Sequence, residues 1–175
     1  MSKRDWWRCY PEFKERTIFV DIETDPEKIT VIGIYDGKRM NNFIRGKNLV
    51  YALPLLKKAS LIVTYNGTGF DLPVIRNEMN VNVEAIHIDL MYLLRRLGLK
   101  GGLKKIEKVI GIRREKEIDG LSGKDAVELW HEYKSGNYSA LSTLIKYNRA
   151  DVVNLELLLK LCYKKMRMQT FVVES

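Results

Sequence analysis

The stretch IFVDIET at positions 18–24 places two acids inside a run of branched and aromatic residues that otherwise reads as a buried strand. Strand side chains alternate between faces, so Asp21 and Glu23 project the same way and their charges lie close together. Two such carboxylates repel and are poorly solvated, which raises at least one pKa unless a cation or a proton compensates. A positive partner is expected on that face. The alternative ends the strand at Ile22 and leaves both acids in a solvated turn marked by Asp25-Pro26. On this stretch alone both readings are open.

The surrounding pattern supplies a frame. Residues 17–22, 29–35 and 38–44 read as three strands, joined through Asp25-Pro26 and Asp36-Gly37 into an antiparallel meander. A helix is expected at 48–58 and a strand, LIVTY, at 61–65. YNGTGFDLPVIRNEM then reads as a Gly-rich loop feeding a helix that Asp71 caps, with Pro73 in its first turn. A short strand at 84–88 leads to Asp89, the expected N-cap of a helix at 90–97. GGLKKIEKVIGI carries Leu103, Ile106, Val109 and Ile110 at helical spacing, which leaves Lys104, Lys105 and Lys108 toward solvent. From 123 to 168 the chain reads as mostly helical, broken near Ser135-Gly136-Asn137. Such an order predicts a mixed sheet with helices on its faces.

At 175 residues the expectation is one domain: an arm at 1–16, a body at 17–168 and a tail at 169–175. The arm holds Trp6, Trp7 and Tyr10, which are expected to pack against the body, with a protein partner through this arm as a further expectation. No apolar run approaches a membrane span and no signal-type segment is visible, so no membrane partner and a cytoplasmic location are expected. Cys9 and Cys162 lack the spacing of a zinc site or a disulfide framework.

Charge narrows the choice of partner. The net charge of +8 is concentrated at 95–116, where nine basic residues face only Glu107 and Glu115. A patch of this density favours a polyanion, most commonly nucleic acid; the plainer reading is a solvated helix surface.

Inside the last helical stretch, YNRAD sets Tyr147 and Asp151 four apart and on one face, among Leu144, Ile145, Val152, Leu155 and Leu158. A carboxylate beside that apolar stripe again calls for a partner. Alternatively Asp151 caps a new helix after a kink and Tyr147 only packs. Three stretches now stand in order: DIE at 21–23, YNGTGFD at 65–71 and YNRAD at 147–151. Together they resemble the three exonuclease motifs of the DEDD superfamily, in its tyrosine-bearing subclass. The proofreading domains of family B DNA polymerases belong there, and HIDLMYLL and GLKKIEKVIGI extend the likeness to stand-alone exonuclease domains. The sister subclass has histidine where this chain has Lys146.

The resemblance, over roughly residues 17–165, implies a ribonuclease H-like α/β fold with a mixed five-stranded sheet, three antiparallel strands plus two parallel ones, flanked by helices. It implies a 3′–5′ exonuclease acting on DNA or RNA, with single-stranded DNA or 3′ ends favoured. Two divalent cations, Mg2+ or Mn2+, are implied as cofactors, held by Asp21, Glu23, Asp71 and Asp151. Tyr147 is implied to orient the attacking water. Oxygen-only ligands suit such hard cations. Substrate contacts are expected from Asn66, Thr24, Lys104, Lys105 and Lys108, and from Phe70 if it wedges a terminal base rather than joining the core. Asp89 is expected only to cap, and His87 and His131 are isolated. The rival expectations are a non-catalytic nucleic-acid binding module of the same fold and a structure-specific endonuclease.

Overall fold

This computed structural model describes residues 2–26 and 28–173. A 3-10 segment, Lys3–Cys9, and a single turn, α1 (Tyr10–Phe13), form the arm. They are followed by β1 (Thr17–Asp25), β2 (Lys28–Tyr35), β3 (Met40–Ile44), α2 (Ala52–Lys58) and β4 (Leu61–Thr64). After α3 (Asp71–Met79), β5 (Ile86–Asp89) and α4 (Leu90–Arg96) come α5 (Leu103–Ile110), α6 (Gly123–Lys134) and the long α7 (Tyr138–Val173). Helix α7 thus continues through the first residues of the expected tail. Positions 1, 174 and 175, the outermost parts of the expected arm and tail, lie outside the described residues.

The strands make one sheet in the order β3-β2-β1-β4-β5, antiparallel on the β3-β2-β1 side and parallel from β1 to β4 to β5. The mixed five-stranded sheet expected from the sequence is therefore present. Strand β1 is central in that order, and both of its faces are covered. Ile18, Val20 and Ile22 join the core under α2 and α3, whereas Phe19 joins the core beneath α4 and α7. Trp7 and Tyr10 of the arm are buried in that second core, where Trp7 meets Tyr163 edge-on at 5.6 Å between centroids.

Two expectations need correcting. Strand β1 does not stop at Ile22: Asp21 pairs with Gly33, Glu23 with Val31 and Asp25 with Lys28, so both acids stand inside the strand. The register shifts between Glu23 and Thr24, an irregularity of the kind that re-aims a side chain at a site. On α5 the inner face is not purely apolar. Val109 is 65% exposed while Glu107 is 1% exposed, because Glu107 has a buried partner in Arg114.

Helix α7 approaches the sheet closely enough to touch the acids only because residue 33 lacks a side chain. A Cβ on Gly33 would lie 2.2 Å from Asn148 Oδ1 and 2.7 Å from Val152 Cγ2. Gly33→Ala is expected to lower stability by about 1–3 kcal/mol, the usual range for overpacking a filled interior. Denaturant unfolding checks this, and a variant of unchanged midpoint contradicts the contact.

Candidate active site

The face of β1 that carries Phe19 also carries Asp21 and Glu23, and α7 lies across it. Tyr147 is buried in the N-terminal third of α7, and Asp151 follows one turn later on the same face. Carboxylate oxygens of Asp21, Glu23 and Asp151 all lie within 4.8 Å of one another. Asp71, at the first turn of α3, lines the same cavity of about 250 Å³, together with Thr24, Tyr65, Asn66, Phe70 and Tyr147. The chain therefore brings together, across 130 positions of sequence, all four acids named from the motifs.

Asp71 does not cap α3 as expected. Phe70 occupies the N-cap position without a side-chain cap, and Asp71 Oδ1 instead accepts from the Ile22 N–H of β1 at 3.1 Å. That bond ties the start of α3 to the strand between the other two acids.

The loop before it is held by a residue whose role the sequence understated. Asp89 caps α4 by accepting from Met91 N–H at 3.1 Å, and it also accepts from Asn66 N–H at 2.8 Å and Thr68 N–H at 3.1 Å. Asn66 sits in the left-handed region at φ 64°, and a Cβ on Gly67 would lie 2.2 Å from Thr64 Oγ1. YNGTG is thus a tight turn pinned from β5, which fixes Phe70 and Asp71 at the cavity.

Asn148 was missed, although it lies inside YNRAD. It is fully buried, and its Nδ2 donates to Asp21 Oδ2 at 3.1 Å, with longer contacts to Glu23 Oε1 at 3.4 Å and the Asp21 carbonyl at 3.3 Å. Its own Oδ1 accepts from Asn42 Nδ2 of β3 at 2.9 Å. A buried amide has no reason to sit on an apolar helix face unless polar groups meet it there, but only the fold reveals which groups those are.

Asp151 has its partners on α5 and the loop that follows. The Arg114 guanidinium forms a bidentate pair with Glu107 at 2.7 and 2.8 Å and also donates to Asp151 Oδ1. Its side chain is 4% exposed, so it is part of the interior and not of a backbone-gripping surface. Lys104, expected in solvent, turns inward. Its Nζ donates to the Tyr147 hydroxyl, lies 4.4 Å from the centroid of that ring and 3.7 Å from Asp151 Oδ2. Lys105 and Lys108 do not line the acid cavity; Lys108 faces Asp119 at 3.6 Å.

Electrostatics follow from this crowding. Loss of bulk water, then repulsion from Asp151, Asp71 and Glu23, holds Asp21 well above the usual carboxylate range. Burial and then Asp151 push Glu23 up to about 8, against the lowering pull of Asn148. Burial raises Asp71 to about 7, although its own N–H and that of Ile22 oppose the shift. Asp151 is raised by burial despite Arg114 and Lys104. Burial, then the charges of Asp151, Glu23 and Asp21, raises the Tyr147 phenol, which stays protonated.

A consequence can be measured with divalent ions removed. These acids hold protons in the native state that the unfolded chain gives up in the ordinary carboxylate range, so stability falls as pH rises. The extra stability is complete at low pH and is lost as pH climbs through about 7 for Asp71 and about 8 for Glu23. Melting temperature in chelator should fall between about pH 5 and about pH 9, and fall less with Mn2+ present. A chelated protein indifferent to pH across that window contradicts the crowding.

The donor set suits a hard divalent cation: it consists of carboxylate oxygens from separate elements, drawn together and poorly solvated, with no cysteine among the cavity residues. Asp21, Glu23 and Asp151 make a candidate metal centre.

No curated protein sequence matches the chain. Among solved structures, a family B DNA polymerase from the hyperthermophilic archaeon Pyrobaculum calidifontis superposes with a TM-score of 0.62 at 18% identity, over 87% of this chain and 24% of that one. Escherichia coli RNase D, an exoribonuclease involved in structured RNA processing, superposes with a TM-score of 0.56 at 14% identity, over 98% of this chain and 49% of that one. This chain thus spans about a quarter of the first and half of the second, and both likenesses concern the fold. Among the described residues no helix is long and apolar enough to cross a membrane. The RNase_H superfamily model matches residues 18–163, so the chain belongs to the RNase_H superfamily.

Proposed function

We propose that this protein is a metal-dependent 3′–5′ exonuclease of the DEDD type, with tyrosine in its third motif. The observation that carries the reading is the convergence of Asp21, Glu23 and Asp151 within 4.8 Å, with Asp71 and Tyr147 on the same cavity wall. A module that only binds nucleic acid has no use for four acids facing its ligand, since phosphate is itself anionic. Two divalent cations, when bound, supply a more acidic water and neutralise charge on the phosphate and the leaving oxygen.

The chain's own groups divide the remaining work. Asp21, which neighbours the other three acids, would serve both cations; Glu23 and Asp151 would complete one site, and Asp71 would act on the other. Asp151 would offer mainly Oδ2, which faces Lys104 Nζ at 3.7 Å, because Arg114 engages Oδ1. Tyr147, protonated and fixed by Lys104, orients the attacking water by hydrogen bonding. Glu23 also accepts from the terminal 3′-hydroxyl, which restricts cutting to ends. Thr24, Asn66 and Phe70 line the entrance as substrate contacts, and Phe70 is 42% exposed, so it is available to a terminal base. Lys105 and Lys108 are dropped from the substrate contacts at the acid cavity.

Tyr147→Phe should keep the fold and slow hydrolysis by up to about a hundredfold, as the loss of one positioning contact does. Single-turnover rates check this, and an unchanged rate means that water is oriented by another group. The function itself is tested with 5′-labelled DNA and RNA oligonucleotides in Mg2+, Mn2+ or chelator. A ladder shortening from the 3′ end, absent in chelator, is the expected product. Internal cuts at fixed positions would instead support a structure-specific endonuclease.

A further inference from the structure

On the other side of the YNGTG loop from the acids lies a second cleft, of about 900 Å³, bounded by the arm, β5 and the outer faces of α3 and α4. Lys3, Arg4, Arg76 and Arg96 surround it, and Trp6 and Tyr92 contribute aromatic surface. Tyr92 is 50% exposed. Among the described residues none of these four cations is in an ion pair. Arg96 donates to the Arg4 backbone carbonyl at 2.6 Å, which holds the arm over the cleft, and Lys3 lies 5.7 Å from the centroid of the Trp6 ring. The acid in the wall, Asp89, is engaged by the N–H groups of Asn66, Thr68 and Met91. Cations and aromatic faces with no acid free to answer them make a surface for a polyanion that carries flat rings.

We propose that this cleft binds single-stranded nucleic acid, phosphates on Arg76 and Arg96 and bases against Trp6 and Tyr92, upstream of the end that enters the acid cavity. Charge alone would also admit an acidic peptide, but the aromatic surfaces favour stacked bases. Continuity favours the strand as well. Thr68, Leu72 and Pro73 line this cleft while Asn66, Phe70 and Asp71 line the acid cavity, so one loop and one helix start form a wall of both. Arg96 belongs to the basic segment 95–116, so part of that segment does reach a polyanion site, away from the acids. The inference rests on the nuclease reading only in placing the strand's 3′ end.

The test separates binding from chemistry. Arg76, Tyr92 and Arg96 are exposed, so Arg76→Ala/Arg96→Ala and Tyr92→Ala should fold, the double variant losing only the exposed Arg96–Arg4 bond. Anisotropy of a labelled oligothymidylate of roughly twelve nucleotides is followed in chelator against salt. The double variant is expected to flatten the slope of log affinity against log salt by about 1.4, at about 0.7 per phosphate on single strands. Tyr92→Ala should weaken binding by about tenfold, as the loss of one stacked base does. With Mn2+, hydrolysis of thymidine 5′-(p-nitrophenyl phosphate), too small to reach the cleft, should be unchanged in both variants. Unaltered affinity and slope overturn the proposal, as does a wild-type protein that binds polyglutamate in preference to the oligonucleotide. If the slope changes as expected while the wild type hydrolyses nothing, the cleft stands and the nuclease reading fails.

Discussion

Replacing Asp21 with Asn should lower turnover in the proposed exonuclease reaction by roughly a thousandfold or more while making the chelated protein more stable, not less. The rate follows from the charge that the carboxylate contributes to the candidate metal centre. Charge stabilisation by bound metal is worth several kcal/mol in the transition state, and each 1.4 kcal/mol is a factor of about ten. The stability follows from the same crowding with the opposite sign. Without metal, Asp21 stands among Asp151, Asp71 and Glu23, each of which raises its pKa, and Lys104 opposes them. Asn has the same shape, and its carbonyl can still accept from Asn148, which now donates to Asp21 Oδ2 at 3.1 Å. Activity and thermal denaturation on the same preparation check both halves. A variant that loses activity and stability together has misfolded and says nothing of metal; one that keeps wild-type turnover removes Asp21 from the reaction.

The second large effect concerns the interior, not the reaction. Glu107→Leu should lower stability by about 3–5 kcal/mol, the range for breaking a buried pair by removing one partner. Glu107 is 1% exposed and serves two donors besides its helix: Arg114, through both carboxylate oxygens, and Asn154 Nδ2 at 3.0 Å. Its removal leaves a guanidinium, 4% exposed, with only Asp151 to answer it. At about 2–4 °C per kcal/mol for a chain of this size, the melting temperature should fall by roughly 10 °C. The double variant Glu107→Leu/Arg114→Met removes both charges and should recover part of that loss, since apolar replacements of whole ion pairs are often neutral, while Asp151 keeps only Lys104 at 3.7 Å. Equal melting temperatures for wild type and Glu107→Leu contradict the network.

Much of the architecture was legible because it rests on short-range pattern. The meander and the helical second half follow from strand alternation, turn residues and helical spacing, the parallel pair follows from the family resemblance, and each element lies within a few residues of its expected place. The candidate acids were legible for a different reason. Charges at Asp21, Glu23 and Asp151 interrupt apolar patterns, and such interruptions need a cause. What escaped is what only tertiary contact decides. Lys104 lies on a helix whose spacing points it to solvent, yet Tyr147 with Asp151 draws it in; Glu107 shares the face of Leu103 and Ile110, and only Arg114, seven residues beyond it, accounts for an acid buried there. Asp71 reads as a cap because it precedes a helix, and only the neighbouring strand shows that its oxygen accepts from Ile22. Asn148 gave one usable signal, an amide amid leucines and valines, but its partners lie more than a hundred residues away.

The acids on β1, α3 and α7 are proposed to form one site for divalent cations. Calorimetric titration of Mn2+ into the chelator-treated, dialysed protein tests it without reference to any substrate. Saturable uptake of two ions per chain is predicted, with uptake reduced in Asp21→Asn and in Asp151→Asn. A wild-type protein that takes up no Mn2+, or variants that match its uptake ion for ion, would contradict the claim.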